Sequence, residues 1–410
     1  MITKSDQTFW KSFAKKNWER QPLIVKNFNS SVSKIDKNQI FDMLVNYSNV
    51  CRKNKTVTGF KLFVDGFRQH DDDVLQILPI KSDRTLEKYH LRMEKIFFDY
   101  CLVCDELLQT SQMQYELLND FTNNLFWHVG FPNRFAEMGL YLGNYKKTPF
   151  GVHIDSCGVF SFPVIGHKKF RIWTSEYVEK NKKLNQAHDY SKYKKDSLLL
   201  KAEPSDMTYW PSSSWHIAES DGSFNATWSL GIWVDKTHQE AIIDSIKPFL
   251  KTKLGYQGQQ SVLEKITQYK LQSNITNHNF EKLPSQYLNT IKKIKAITKN
   301  ELYDLLIKDW IILKSKQGFK NSPQLNLKMT AKKDHNIQIP KSQKILFTKL
   351  KTEKKIIYVF QGQLIKVTFE IKFHQLILDL NARKIISTYY LQKSTVNQLN
   401  NLLSVNLLSA

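Results

Sequence analysis

The chain has 410 residues, of which 41% are hydrophobic and 12% aromatic, so it can build two or three domain cores. Its 14 glycines and 11 prolines are too few for extended disorder. No apolar run reaches the roughly 18 residues that a membrane span needs, and the N-terminus lacks the apolar stretch of a secretory signal. Only four cysteines are present, which favours a reduced, cytoplasmic protein.

The net charge of +22 is unevenly distributed. Residues 1–240 carry +4, whereas residues 241–410 carry +18, from 28 Lys and Arg against 10 Asp and Glu. A basic module attached to a nearly neutral one suggests an acidic partner, such as nucleic acid, a ribosome or an acidic peptide. Lysines that are merely solvated, in a composition inherited from an AT-rich genome, explain the same charge.

The first region extends to about residue 237. It opens with a predicted amphipathic helix around Phe9–Trp18 and a strand over Pro22–Val25, and a helix-rich stretch follows from about Thr85 to Phe126. From Met138 onward, short apolar runs alternate with turn residues, which predicts an antiparallel sandwich or barrel. The predicted strands are Gly139–Leu142, Val159–Val164, Phe170–Trp173, Met207–Trp210 and Thr227–Val234.

Two further regions follow. Residues 238–310 are predicted to be helical, and Thr298 with Glu301 has the spacing of a capping box. In residues 311–410, Ile356–Phe360 and Leu364–Ile371 flank a short turn and predict a β-hairpin. Helices followed by a hairpin are the ingredients of a winged helix. The predicted fold class is therefore α+β, with an N-terminal sandwich, a helical segment and a basic winged-helix-like domain.

Two cysteines, Cys101 and Cys104, have the spacing of half a zinc site. The sequence contains no second pair to complete such a site, so two buried thiols on a helix are the preferred interpretation.

The segment around His153-x-Asp155 carries the strongest chemical signal. On a strand, the two side chains would point to the same face, and a distant His216 at the start of another strand could join them. Two histidines and one carboxylate form a facial triad typical of non-haem iron(II), with open positions for a cosubstrate and dioxygen. A second copy, His70-x-Asp72, is predicted to lie in a polar acidic loop without strand character and is dismissed.

Residues Phe9 to Val234 resemble a JmjC-type cupin oxygenase, particularly the ribosomal-oxygenase branch. The segment from Trp18 to Lys26 is similar to the opening of these domains, and His153, Asp155 and His216 fall on the family's iron ligands. Lys168 lies 15 residues after the first ligand, where the family carries the lysine that pairs with the distal carboxylate of 2-oxoglutarate. The resemblance therefore implies Fe(II) as cofactor, with 2-oxoglutarate and dioxygen as cosubstrates.

The resemblance also implies roles for other residues near the cosubstrate. Tyr141, 12 residues before the first ligand, matches a family tyrosine that contacts the distal carboxylate, and Trp233 matches an aromatic near the pocket. This chain departs from many relatives at two positions, which carry Gly139 instead of Asn and Gly231 instead of Ser or Thr. Thr148 or Ser229 could substitute, as hydroxyl donors near the pocket.

The family acts on side chains of proteins, so the leading hypothesis is hydroxylation of a protein or peptide substrate, either a ribosomal protein or a ribosomally made peptide precursor. The family's layout implies a homodimer formed through residues 238–310. The basic region could hold an acidic leader peptide or RNA. The insertion from about Glu176 to Lys201 is a candidate lid or peptide-contact loop, or else a solvated loop. Demethylation of N-methyl-lysine and a non-catalytic binding module are the alternatives.

Overall fold

The structure is a computed structural model, and it describes residues 4–30, 32, 35–255, 285–323, 336–340 and 343–403. Parts of the predicted helical segment and of the predicted C-terminal domain therefore lie outside the described residues. Among the helices of the described ranges, none is long and apolar enough to cross a membrane.

Eight strands, numbered along the chain, form a large antiparallel sheet. Its strands, in spatial order, are β1 (Leu23–Val25), β9 (Met207–Trp210), β6 (Cys157–Ile165), β11 (Asn225–Trp233), β5 (Ala136–Gly143), β4 (Tyr100–Cys104), β2 (Phe60–Val64) and β3 (Phe67–Arg68). A smaller antiparallel sheet contains, in spatial order, β10 (Trp215–Glu219), β7 (Lys168–Trp173) and β8 (Leu198–Ala202). Side chains of both sheets share one apolar cluster, which includes Val159 and Phe170, so the predicted antiparallel sandwich is confirmed.

The main hydrophobic core lies between the large sheet and the N-terminal helices. Alternate residues of β11, such as Trp228 and Leu230, face this core together with Trp10 and Phe121 from the helices, while the intervening residues face the smaller sheet. The helices of this region are α1 (Lys4–Lys16), α2 (Lys37–Asn54), α3 (Asp71–Ile77), α4 (Leu86–Glu94), α5 (Gln112–Val129) and, in the insertion, α6 (Ser175–Lys180).

Two expectations for this region were wrong. The stretch from Thr85 to Phe126 is not wholly helical, because β4 runs through it as the run of buried residues Tyr100–Cys104. Cys101 and Cys104 therefore lie on a strand rather than a helix, and their odd spacing points them to opposite faces. Cys104 belongs to the main core, whereas Cys101 packs with Tyr145 on the other face, so the two thiols cannot form half of a metal site.

Three helices follow the sandwich within the described residues: α7 (His238–Leu254), α8 (Ser285–Lys295) and α9 (Lys299–Ser315). The predicted capping box is confirmed at α9, where Thr298 and Glu301 bond to each other's backbone N–H. After α9 the chain returns to the sandwich. Phe319 is fully buried in its core, and the backbone N–H of Lys320 donates to the Ala136 carbonyl at 2.9 Å.

The C-terminal region contains a three-stranded antiparallel sheet between helices. Its strands are β13 (Leu346–Lys349), β14 (Lys355–Phe360) and β15 (Gln363–Thr368), followed by α10 (Ile371–Asn381) and α11 (Lys393–Leu403). A further pair joins β12 (Asn336–Ile337) to β16 (Ile386–Ser387). The predicted hairpin is confirmed as β14–β15. Helices both precede and follow this sheet, and the winged-helix assignment stays a prediction.

Candidate metal centre

Two histidines lie directly opposite each other at one end of the smaller sheet. His153 and His216 exchange backbone hydrogen bonds of 3.0 Å and 2.7 Å, which places both side chains on the same face. His216 is the second residue of β10, as predicted. His153 and Asp155 do not lie on a regular strand, as had been expected, but in the connection between β5 and β6. The isolated bridge to His216 fixes His153 instead.

The three predicted ligands converge. Metal-binding atoms of His153, Asp155 and His216 lie within 4.8 Å of one another, and no other such His/Cys/Asp/Glu cluster occurs in the described part of the chain. The carboxylate of Asp155 is 3.6 Å from Nε2 of His153 and 3.4 Å from Nε2 of His216. The opposite ring nitrogens are held by backbone carbonyls, with Nδ1 of His153 3.0 Å from the Gly151 oxygen and Nδ1 of His216 3.1 Å from the Ser214 oxygen.

These contacts determine which nitrogen can bind a metal. Because a carbonyl oxygen can only accept, each Nδ1 carries the proton, and each Nε2 keeps its lone pair for a metal ion. Burial, together with the neighbouring His153, lowers the pKa of His216 to about 4, so this imidazole is neutral at ordinary pH. Two neutral imidazoles and one carboxylate form a donor set that suits Fe(II).

A cavity of about 310 Å³ opens beside the three ligands, between the two sheets. Each residue that the sequence assigned to the cosubstrate lines this cavity: Lys168, Tyr141, Thr148, Ser229 and Trp233. They come from different elements. Tyr141 lies on β5, Lys168 begins β7, Ser229 and Trp233 lie on β11, and Thr148 is in the β5–β6 connection.

Lys168 is a buried cation without a carboxylate partner among the described residues. Its side chain is almost fully buried, and its ammonium donates to the Tyr145 hydroxyl at 2.6 Å and to the Asn225 side-chain oxygen at 3.2 Å. Both partners are neutral, so burial lowers the pKa of Lys168 to about 7. An isolated buried charge is costly, and an anion that enters the cavity would remove this cost.

Sequence reasoning missed three polar residues around Lys168: Tyr145, Asn225 and Thr227. The buried hydroxyl of Thr227 lines the cavity and has no hydrogen-bond partner within the described ranges, and the same holds for the indole N–H of Trp210. Period-two alternation along β11 from Ser229 could have indicated Thr227 and Asn225. These unpartnered polar atoms, together with Lys168, fit a small polar anion next to a metal.

The two glycines that depart from the family pattern also line the cavity. A Cβ atom at Gly231 would lie 2.9 Å from the Trp233 ring and 3.0 Å from Sγ of Cys157. A Cβ atom at Gly139 would lie 3.0 Å from the Asp105 carboxylate. In this chain, therefore, the space that a larger side chain would fill is occupied by the Trp233 ring and by Asp105.

Paired charges form part of the cavity wall. Lys61 and Asp105, both cavity-lining, form an ion pair of 2.8 Å. The cavity-lining Glu137 pairs at 2.6 Å with Lys320, which lies in the segment that returns from the C-terminal region. Burial raises the pKa of Glu137, whereas the Lys320 ammonium acts in the opposite direction. The C-terminal region thus contacts the cavity wall directly.

None of the residues that line this cavity comes from the insertion, so in this structure the insertion does not cover the cavity. It folds into α6 and two short 3-10 helices, Lys182–Leu184 and Ser191–Asp196, and packs an apolar cluster that includes Tyr193 against Trp173. The predicted end of the insertion at Lys201 was too late, because β8 of the smaller sheet already begins at Leu198. Val152 bonds through its backbone to Ala187 at 3.0 Å and to Gln186 at 2.8 Å. The insertion therefore supports the segment that carries His153 from behind.

The dismissed copy of the motif, His70-x-Asp72, is exposed and does not line this cavity. His70 is the N-cap of α3 rather than part of a loop, and it accepts a hydrogen bond from the Asp72 backbone N–H at 3.4 Å. Its side chain is 78% exposed, and no described carboxylate or histidine completes a triad around it.

Comparison with known proteins agrees with this geometry. Residues 116–240, which contain all three ligands, match the family model of the JmjC domain. The match covers 125 of the 410 residues and includes the whole candidate metal centre. The resemblance to the JmjC family inferred from the sequence is thereby confirmed. No curated protein sequence matches the chain.

Solved structures similar to this chain include ribosomal oxygenase YcfD from Escherichia coli. Its complex with cobalt and 2-oxoglutarate is 13% identical with a TM-score of 0.46, and the match covers 95% of this chain and 94% of that chain. Its complex with cobalt and succinic acid is 12% identical with a TM-score of 0.48, at the same coverage. Likeness at this level carries no argument about function, so the JmjC assignment depends on the family model and on the site.

Proposed function

We propose that this protein is an Fe(II)- and 2-oxoglutarate-dependent dioxygenase that hydroxylates a side chain of a protein or peptide. The observation that carries the proposal is the pairing, in one cavity, of the His153, Asp155 and His216 cluster with the buried Lys168, which has no carboxylate partner among the described residues. A metal and a dicarboxylate are the two groups that this combination accommodates. Bound Fe(II) with 2-oxoglutarate would supply the oxidising chemistry that activates dioxygen.

Each residue of the cavity then has a task of its own. His153, Asp155 and His216 hold the iron, and the backbone acceptors at Gly151 and Ser214 keep both imidazoles in the metal-binding tautomer. At the far end, Lys168 pairs with the distal carboxylate of the cosubstrate.

The remaining candidates complete the wall around the cosubstrate. Tyr141 and Thr148 supply hydroxyl groups, Ser229 lies beside Ser161 at 3.3 Å, and Trp233 contributes an apolar face. Burial raises the pKa of Tyr141 far above its ordinary value, and the Asp105 carboxylate adds to the effect, so this phenol stays a hydrogen-bond donor.

The decisive experiment measures succinate formed from 2-oxoglutarate by the Fe(II)-loaded protein, with and without the proteins of its native host. Turnover that depends on Fe(II) and is abolished in Asp155→Ala is expected. Mass spectrometry of the substrate should show a gain of about 16 Da, the mass of one oxygen atom that a dioxygenase inserts. Formaldehyde release would indicate demethylation instead, and undiminished turnover by Asp155→Ala would refute the iron site.

We also propose that the protein is a homodimer through the helices that follow the sandwich. Apolar side chains on α7 and α8 are partly exposed, including Ile243 at 61% and Leu288 at 46%. A second copy that covers these faces would remove apolar surface from water. Light scattering after size exclusion tests this proposal, since Ile243→Glu should shift a dimer towards the monomer, whereas a monomeric wild-type protein would refute it.

A further inference from the structure

Among the described residues, β13 forms an open edge of the C-terminal sheet, since it is the first strand in the spatial order β13–β14–β15 and no further strand pairs with it. Gln361 and Gly362 form the two-residue turn between β14 and β15, and both have positive φ, as a type I′ hairpin requires. The residues that flank this turn, Phe360 and Gln363, then form a hydrogen-bonded pair. This pair determines, for every residue of the sheet, towards which neighbouring strand its backbone N–H and C=O groups point.

The alternation shows which backbone groups of β13 point outward. Leu346 and Thr348 pair with β14, and the N–H of Leu350 continues this ladder by donating to the Lys355 carbonyl at 3.0 Å. The N–H groups of Phe347 and Lys349 therefore face away from β14, and within the described residues neither of them donates a hydrogen bond.

One outward position on the same edge is already occupied by a side chain. The Asn381 amide accepts a hydrogen bond from the backbone N–H of Ile345 at 2.8 Å and donates to the Ile345 carbonyl at 2.9 Å. This is the two-way exchange that a residue of a neighbouring strand would make. The edge thus accepts a strand-like partner at Ile345. At its next two outward positions the N–H groups donate no hydrogen bond within the described residues, and the Lys349 carbonyl accepts only a long contact of 3.5 Å from the Thr348 hydroxyl.

The surface beside this edge is cationic and aromatic. Residues 343–403 contain ten Lys and Arg against three Asp and Glu. Lys349 forms no ion pair among the described residues, and its ammonium lies 5.1 Å from the centre of the Phe369 ring. Phe347 and Phe369 are partly exposed, at 38% and 41%, and both pack against His374.

We propose that the open edge of β13 binds an extended acidic peptide segment, which adds as a further strand beside Phe347 and Lys349. Alternating N–H and C=O groups match a polypeptide backbone, whereas a nucleic acid has no such row of groups to offer them. On one face of the added strand, an acidic side chain would meet Lys349 and an apolar one, two residues away, would meet Phe347. The inference goes beyond the proposed hydroxylation and does not depend on the metal centre.

Fluorescence anisotropy on the full chain tests the proposal with a labelled peptide in which Glu-Thr-Val-Thr is repeated twice. The control probes are the same peptide with lysine for glutamate and a labelled twelve-nucleotide oligothymidylate. Only the acidic peptide should bind in a manner that depends on Lys349. The proposal would be overturned if the lysine peptide bound as tightly as the acidic one, or if the acidic peptide did not bind. It would also be overturned if substitution of Lys349 weakened binding of the oligonucleotide but not of the acidic peptide.

Two substitutions separate the charge of Lys349 from its edge N–H. Lys349→Ala should weaken binding by up to about fivefold, the range of a partly exposed ion pair. Lys349→Pro also removes the outward N–H, and it should weaken binding by up to about tenfold more without breaking a ladder bond. Lys354→Ala, an equal charge change in the β13–β14 turn, should leave binding unchanged.

Hydrogen exchange of the wild-type protein gives a readout without any variant. The acidic peptide should slow exchange in residues 345–350, because the edge N–H groups become bonded. Unchanged exchange in this segment at saturating peptide, or identical affinities of Lys349→Pro and Lys349→Ala when circular dichroism shows both to be folded, would refute edge pairing.

Discussion

The affinity for 2-oxoglutarate should fall as the pH rises above 7, because Lys168 must be protonated to pair with the distal carboxylate. Among the described residues, this buried ammonium has only the Tyr145 hydroxyl and the Asn225 side-chain oxygen as partners, and burial lowers its pKa to about 7. A bound carboxylate stabilises the charged form and raises this pKa, so binding takes up a proton.

The sign and size of the effect follow from this linkage. Affinity is fully present only well below pH 7, where Lys168 already carries its proton, and it is lost as the pH rises through the Lys168 pKa of about 7. With that pKa near 7, the protonated fraction falls roughly 25-fold between pH 6.5 and 8.5, which corresponds to about 2 kcal/mol of binding free energy.

Calorimetric titration of 2-oxoglutarate into Mn(II)-loaded protein across this pH range measures the effect. Lys168→Arg is the matched control, because a guanidinium keeps its charge throughout and should make the affinity independent of pH. Lys168→Met should bind weakly at every pH. A flat profile in the wild-type protein, or an equal slope in Lys168→Arg, would show that Lys168 does not form this ion pair.

Three further predictions concern the site and its support. His153→Ala should lower Fe(II) affinity at least about 100-fold, as expected for the loss of a ligand. His70→Ala, in the exposed copy of the motif, should retain the same Fe(II) content after dialysis as the wild-type protein. An equal loss of Fe(II) from both variants would contradict the assignment. Gly151→Ala should lower the free energy of unfolding in urea by about 2–3 kcal/mol, because φ is +69° and the new Cβ would lie 2.8 Å from a backbone oxygen. Gly66 also has positive φ but open space around it, so Gly66→Ala should lower it by only about 1 kcal/mol. Equal losses in the two variants would argue against a tight fit at Gly151. Tyr145→Phe removes one of the two hydrogen-bond acceptors of Lys168 and should weaken 2-oxoglutarate binding about threefold to tenfold at pH 7; an unchanged calorimetric Kd would remove Tyr145 from the site.

The strands of the sandwich could be predicted because alternation along them is strong. Met207–Trp210 was predicted with its observed bounds, and the other predicted strands differ by a few residues. Tyr100–Cys104 was missed because it is buried on both faces and has no alternation, so it could not be distinguished from a buried helix. Strand parity also failed at His153 and Asp155, whose convergence depends on a tertiary bridge to His216.

Residues far apart in sequence explain the rest of what was missed. Tyr145 and Asn225 are 23 and 57 residues from Lys168, and no local pattern connects them. Their role appears only when the β5–β6 connection and β11 are brought together around β7. The contact of Lys320 with Glu137 is equally non-local, since it joins positions 183 residues apart.

Gly231 has no side chain to offer the cavity, but Thr227 on the same strand has a hydroxyl there. Gly231 and Thr227 are four residues apart on β11, so both face the cavity, and the buried Thr227 hydroxyl has no partner there. A side chain at Gly231 would meet the Trp233 ring, which lies 2.9 Å from where its Cβ would be. A hydroxyl donor is therefore still available to a bound anion, displaced along β11 towards Asn225 and Lys168. This displacement lets one strand accommodate both the Trp233 ring and a polar contact to the cosubstrate, which a serine at position 231 could not do without moving the ring.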